Sequence, residues 1–227
     1  LAPSHVEHLA SIAHAFGLVR KGSYRSTPLG FLVQSQDPFF DDVGTLWFLH
    51  YVIASDPRYL IWNRMVTEVI PGTRSITREQ ARQAFDDLRL YISAYSFQAH
   101  IDKELRVFLN AYTEQHFARL AYLRAEGAGF ALSYREPVPP LVLAASIVCF
   151  RDRHRPGDTA VPVVDLLTDR NGPGVVFQMD EGLLRATLES LKLQPGLSLE
   201  SRADLDQVRL TDNTPDHVWM ERYYAQR

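Results

Sequence analysis

Two stretches, Thr45–Ala54 and Leu141–Phe150, are apolar on nearly every side and contain no Asp, Glu, Lys or Arg. A helix without a polar face has to be enclosed by other elements. Both runs are far shorter than the ~18 residues a membrane span requires, so they read as core helices and argue against a membrane protein. With 227 residues, 46% hydrophobic and 22% charged, the chain has material for one large domain or two small ones. The single cysteine, Cys149, lies inside the second run and has no partner for an internal disulfide, which points to a reducing, cytoplasmic setting.

Ahead of the first run, Ser4 and Glu7 have the spacing of a capping box, and Val6, Leu9, Ala13 and Phe16 fall on one helical face. His5, His8, Ser11 and Ala15 lie opposite, facing solvent. Gly17 ends the helix as a left-handed C′ residue would. Leu18-Val19, Lys21-Gly22-Ser23 and Tyr24-Arg25 read as strand, turn and return. Thr27 then caps a helix with Pro28 at its first position. Helix, hairpin and capped helix make the back half of a winged helix-turn-helix, whose leading helix commonly enters a DNA groove. On this reading Val6, Leu9, Ala13 and Phe16 anchor the recognition helix, while His5, His8, Ser11, Arg20, Lys21 and Arg25 face nucleic acid. The net charge of −3 means that any such contact depends on this local basic patch.

Further on, Asp37-Pro38 and Asp56-Pro57 read as cap-then-proline helix starts, with helices at 57–70, 77–95 (opened by a Thr77/Gln80 capping box), 101–112 and 115–123. Segment 123–133 loosely echoes the first hairpin. Pro137, Pro139 and Pro140 mark a joint, 151–158 a charged loop, 161–168 a helix, 175–178 a strand, and 180–193 a helix ended by Pro195-Gly196. Beyond Leu197 the pattern suggests short strands or irregular chain.

The block Asp37-Pro-Phe-Phe-Asp-Asp-Val-Gly-Thr-Leu-Trp-Phe-Leu-His-Tyr51 resembles the hallmark of the bacterial domain-of-unknown-function 4007 family. Thr27–Gly30 and Gly172–Phe177 are similar to two further stretches of that family, so the likeness spans most of the chain. The entry to the first helix, Leu1-Ala-Pro-Ser4, departs from the family's Gly-rich, Lys-containing form, and the family's extra N-terminal portion is not present here. The resemblance implies, through gene company alone, a role beside DNA phosphorothioation or phage-defence genes.

Chemistry-bearing alternatives are sparse. His5, His8 and His14 lack the three or four convergent ligands that zinc wants. Asp37, Asp41, Asp42 and His50 form an acid cluster suited to metal-dependent phosphodiester cleavage. The same residues also suit capping at the positive ends of helices and a hydrogen-bonded core histidine. Arg151, Arg153 and Arg155 make the densest charge run, able to grip phosphate or an acidic partner, or simply to face solvent. Gly172-Pro173-Gly174 lacks nucleotide-loop spacing and reads as a turn.

The expectation is therefore a mainly α protein. A winged helix-turn-helix-like part occupies 1–36, a helical body with a possible second wing 37–136, and a C-terminal α/β portion 137–227. It acts as a non-enzymatic subunit without cofactor or metal, binding double-stranded DNA or serving as an adaptor in a modification or defence complex. A scaffold that recruits sulfur-transfer or nuclease partners without touching DNA is the competing reading, and a hydrolase using Asp41, Asp42 and His50 a third.

Overall fold

The structure, a computed structural model, describes residues 3–133, 136–202 and 205–227, without the side chains of 3–5 and 8. It is mainly helical with two small antiparallel sheets of three strands each. In chain order the elements are α1 (Pro3–Ala15), α2 (Pro28–Gln36), α3 (Val43–Ala54), α4 (Leu60–Arg64), β1 (Ser75–Thr77), α5 (Arg78–Gln83), α6 (Ala94–Ser96), α7 (Asp102–Thr113), β2 (Leu123–Glu126) and β3 (Gly129–Leu132). They continue with α8 (Pro140–His154), β4 (Ala160–Pro162), α9 (Val163–Thr168), α10 (Pro173–Val176), α11 (Glu181–Ser190), β5 (Leu197–Arg202), β6 (Leu205–Leu210) and α12 (Asp216–Tyr224). Wider π turns at Met65–Val69 and Phe97–Ile101 extend α4 and join α6 to α7.

The chain divides into two compact units, 1–55 with 138–227, and 56–137. Segment 37–55, assigned from sequence to the helical body, packs with the two ends of the chain instead.

In the first unit, α3 and α8 are the enclosed helices that their composition demands: every residue of 44–54 and of 141–151 is buried. The sheet runs β4-β6-β5, with Val161 opposite Val208 and Leu197 opposite Leu210. Helix α12 lays Trp219 and Met220, both fully buried, against α8. Gly172 and Gly174 permit a close approach: a Cβ at Gly172 would lie 2.8 Å from the carbonyl oxygens of Asp165 and Leu166, and one at Gly174 2.7 Å from Leu167 Cα. With that contact Val175 and Val176, the first half of the strand read from sequence over 175–178, fall in the helical turn α10, and no strand forms there.

The second unit has sheet order β1-β3-β2 and an aromatic core. Trp62 meets Phe108 edge-on at 5.1 Å, and Tyr112 stacks on Phe117 at 5.2 Å. The Thr77/Gln80 capping box forms as expected, with Thr77 N–H donating to Gln80 Oε1 at 2.9 Å and Gln80 N–H to Thr77 Oγ1 at 3.1 Å.

Several boundaries differ from the sequence reading. The predicted helix 77–95 stops at Gln83, passes through a 3-10 turn at Asp86–Leu90 and restarts where Ser93 caps α6. Only a 3-10 turn, His116–Leu120, forms in the segment 115–123, because left-handed Ala121 turns the chain into β2. Asp37-Pro38 and Asp56-Pro57 start turns rather than helices. Residues 160–162 pair with β6 before α9 begins, and Arg151–His154 form the last turn of α8 rather than a loop. Helix α12 had no counterpart in the sequence reading.

Candidate nucleic-acid interface

The hairpin between α1 and α2 is built by Thr27 and three glycines. Gly17, at φ +71°, closes α1 through its N–H to the carbonyl of His14 (2.9 Å), and Leu18 N–H donates to Ala13 O (2.9 Å). The chain then pairs with itself once, Val19 opposite Ser26, with Arg20 N–H donating to Arg25 O at 2.8 Å. Gly22, also at positive φ, makes the turn. Thr27 Oγ1 donates to Gly17 O (2.6 Å) and accepts from Gly30 N–H (3.0 Å), so one hydroxyl locks the hairpin base to the start of α2. Gly30 admits no side chain, since a Cβ there would fall 2.0 Å from Leu18 O.

Arg20, Lys21 and Arg25 all stand exposed on this hairpin. No described residue forms a hydrogen bond or ion pair with any of the three side chains. Many arginines elsewhere are matched, Arg58 with Asp56, Arg64 with Asp87, Arg82 with Asp102, Arg185 with Asp206 and Arg209 with Glu200, although exposed Arg74 and Arg106 are not. These partners hold the carboxyls of Asp87, Asp206 and Glu200 below the usual carboxylate range. Ser11 is exposed as expected, while the His5 and His8 side chains lie outside the described residues.

The expected anchoring face of α1 is corrected. Of that face, Val6 (41% exposed) and Leu9 (54%) face solvent and Ala13 and Phe16 are half-buried; Ile12, not assigned to it, is also exposed (38%), and Ala15, assigned to the outer side, is buried. The reason is geometric: α1 is held at its C-terminal end, where Ala15 leaves solvent, the His14 ring is 3.2 Å (Nδ1) from Val19 O, and Gly17 approaches Val52.

The acid cluster is structural. Asp37, buried, accepts the N–H groups of Asp41 (2.8 Å) and Asp42 (3.1 Å) and so shapes the 37–42 loop. Asp42 caps α3 through Thr45 N–H (2.8 Å). Its other oxygen accepts from the Tyr223 hydroxyl (3.1 Å) and from the Arg227 guanidinium, tying α3 to α12. Thr45 Oγ1 and the Tyr224 hydroxyl share a 2.5 Å hydrogen bond. Burial pushes both tyrosines up to about 12, assisted at Tyr223 by the neighbouring Asp42 charge. Gly44 leaves room for the Tyr223 ring. His50 is fully buried with Nε2 3.1 Å from Val176 O, Tyr51 donates to Asn171 O (3.0 Å), and Trp47 meets Phe177 edge-on at 5.6 Å. The 37–51 and 172–177 blocks are therefore two halves of one packed core.

The arginine run is paired within the fold, with Arg151 buried and Arg153 exposed. Arg153 donates to Val52 O (2.8 Å) and Ser55 Oγ (3.0 Å), closing the C-terminal end of α3. Arg151 pairs with Asp152, and Arg155 with Asp158 and Asp165. Among the described residues, no group of three or more His, Cys, Asp or Glu is placed to hold a metal, and no helix is long and apolar enough to cross a membrane.

Sequence reasoning missed Tyr223, Tyr224 and Arg227, whose bonds to Asp42 and Thr45 cross almost the whole chain length. It also missed the exposure of Tyr24.

Fold and site together define a mainly helical protein that presents a cationic hairpin between two helices. The chain belongs to the family described as "Protein of unknown function (DUF4007)", whose profile matches residues 11–224. Among solved structures, the crystal structure of SspB is similar, with a TM-score of 0.76 and 17% identity over 95% of this chain and 73% of that one. No curated protein matches.

Proposed function

We propose that this chain is a binding subunit of a bacterial DNA-modification or phage-defence system, with no chemistry of its own. Its head is winged-helix-like: α1 lies toward a groove of double-stranded DNA and the hairpin cations rest on phosphates. Three uncommitted cations on one hairpin, in a chain of net charge −3, are the observation that carries this reading. Salt bridges within the fold would have consumed them; phosphate oxygens are the partners such exposed groups fit. His5, His8 and Ser11 on α1 are assigned to the groove. A hydrolase is disfavoured because His50 is sealed in the core and Asp42 is engaged on both oxygens.

Exposed Val6, Leu9 and Ile12 favour a second reading, a scaffold that holds a protein partner on α1. Gel shifts at physiological salt separate the two. Charge reversal at Arg20, Lys21 and Arg25 is expected to abolish duplex retardation, while Leu9→Glu with Ile12→Glu leaves it intact. The opposite pattern, with loss of a co-purifying protein in the Leu9/Ile12 variant, would establish the scaffold instead.

A further inference from the structure

Tyr24 sits next to Arg25 on the return of the hairpin, 63% exposed, with φ +48°. An aromatic L-residue rarely adopts this left-handed conformation, and doing so costs free energy that packing normally repays. Here no described residue meets the ring or its hydroxyl by ring contact or hydrogen bond. The fold thus holds a flat, two-faced ring in solvent beside the uncommitted charges of Arg20, Lys21 and Arg25, while the Arg20–Arg25 backbone bond at 2.8 Å fixes the hairpin under it.

Cation and ring together match the two parts of a nucleotide, phosphate and base. In intact duplex the base faces are covered by their neighbours, so a free ring gains most from a base that is unpaired or splayed out. We propose that Tyr24 is a stacking residue and that the hairpin engages unpaired bases in DNA, at a single-stranded stretch, an end or an opened step. This rests on the hairpin being the nucleic-acid contact, and narrows the target from duplex in general to DNA with exposed bases.

The experiment measures anisotropy of a labelled oligothymidine strand and of a blunt duplex with the full chain. Tyr24→Asn removes the ring while keeping a residue that tolerates positive φ; Tyr24→Phe keeps the ring. Tyr24→Asn is expected to weaken oligothymidine binding about 5- to 100-fold and duplex binding no more than about twofold, with Tyr24→Phe close to the unsubstituted chain. Charge reversal at Arg20, Lys21 and Arg25 is expected to weaken both. If Tyr24→Asn binds oligothymidine undiminished while charge reversal still weakens both ligands, stacking is overturned and the hairpin assignment stands. If charge reversal changes neither, or the chain binds neither, the hairpin assignment falls and stacking falls with it.

Discussion

Gly44→Ala inverts the usual rule for a helical glycine. In an unobstructed helix this change stabilises by up to about 1 kcal/mol. At Gly44 the added Cβ would stand 2.3 Å from Tyr223 Cζ and 2.5 Å from its Cε1 and hydroxyl oxygen. Normal carbon contacts begin near 3.5 Å, so a rigid ring must retreat by about 1 Å. Such overpacking costs about 1–3 kcal/mol. The retreat also breaks the Tyr223–Asp42 hydrogen bond, another ~1 kcal/mol. The cost exceeds the propensity gain, leaving a net loss of about 1–3 kcal/mol, or a melting temperature lower by roughly 3–10 °C for a chain of this size. Circular-dichroism melts and urea midpoints measure it. In a Tyr223→Ala background the obstruction is gone, so Gly44→Ala becomes neutral or stabilising. A Gly44→Ala variant as stable as the parent, or a cost that persists without the Tyr223 ring, would refute the proposed docking of α12 on α3.

Other outcomes follow from the same contacts. Arg153→Met removes the donor to Val52 O and Ser55 Oγ and is expected to lower stability by about 1–3 kcal/mol in urea titrations, without changing DNA affinity. Tyr223 and Tyr224 titrate near 12 when folded and near 10 when unfolded, so the unfolded chain releases protons first. Stability therefore falls as pH rises above 10, and absorbance titration should show these two hydroxyls ionising above the ordinary tyrosine value of 10. Asp206 is held low by Arg185, so its contribution is full above the ordinary carboxylate value of 3.8 and fades as pH drops through the lowered one. Arg185→Gln should then flatten the acid limb of the stability profile, an effect kept small by solvent exposure.

What the sequence revealed depended on whether the cause was local. The Thr27 cap, Gly17 terminator, Thr77/Gln80 capping box and all-round apolar α3 and α8 are each determined within a few residues, and each formed. Residues 175–178 were misread as a strand because the β-branched pair Val175-Val176 is overridden by the close approach that Gly172 and Gly174 permit. Helix α12 was missed because its buried residues are interleaved with polar ones, among them Arg222, which covers the Trp219 ring at 4.5 Å. Spacing along α1 grouped Val6, Leu9, Ala13 and Phe16 on one side but could not say which of them the fold covers, and it placed buried Ala15 outside. At the acid cluster both possible roles were visible; only the distant partners Val176, Tyr223 and Arg227 decide for architecture.

The hairpin's role is tested most directly by the salt dependence of DNA affinity. Each phosphate neutralised contributes about −0.9 to the slope of log K against log salt. If Arg20, Lys21 and Arg25 each cover one phosphate, neutralising all three by Gln should make that slope shallower by about 2–3 as affinity falls. An unchanged slope and unchanged affinity would contradict the assignment of this hairpin to DNA.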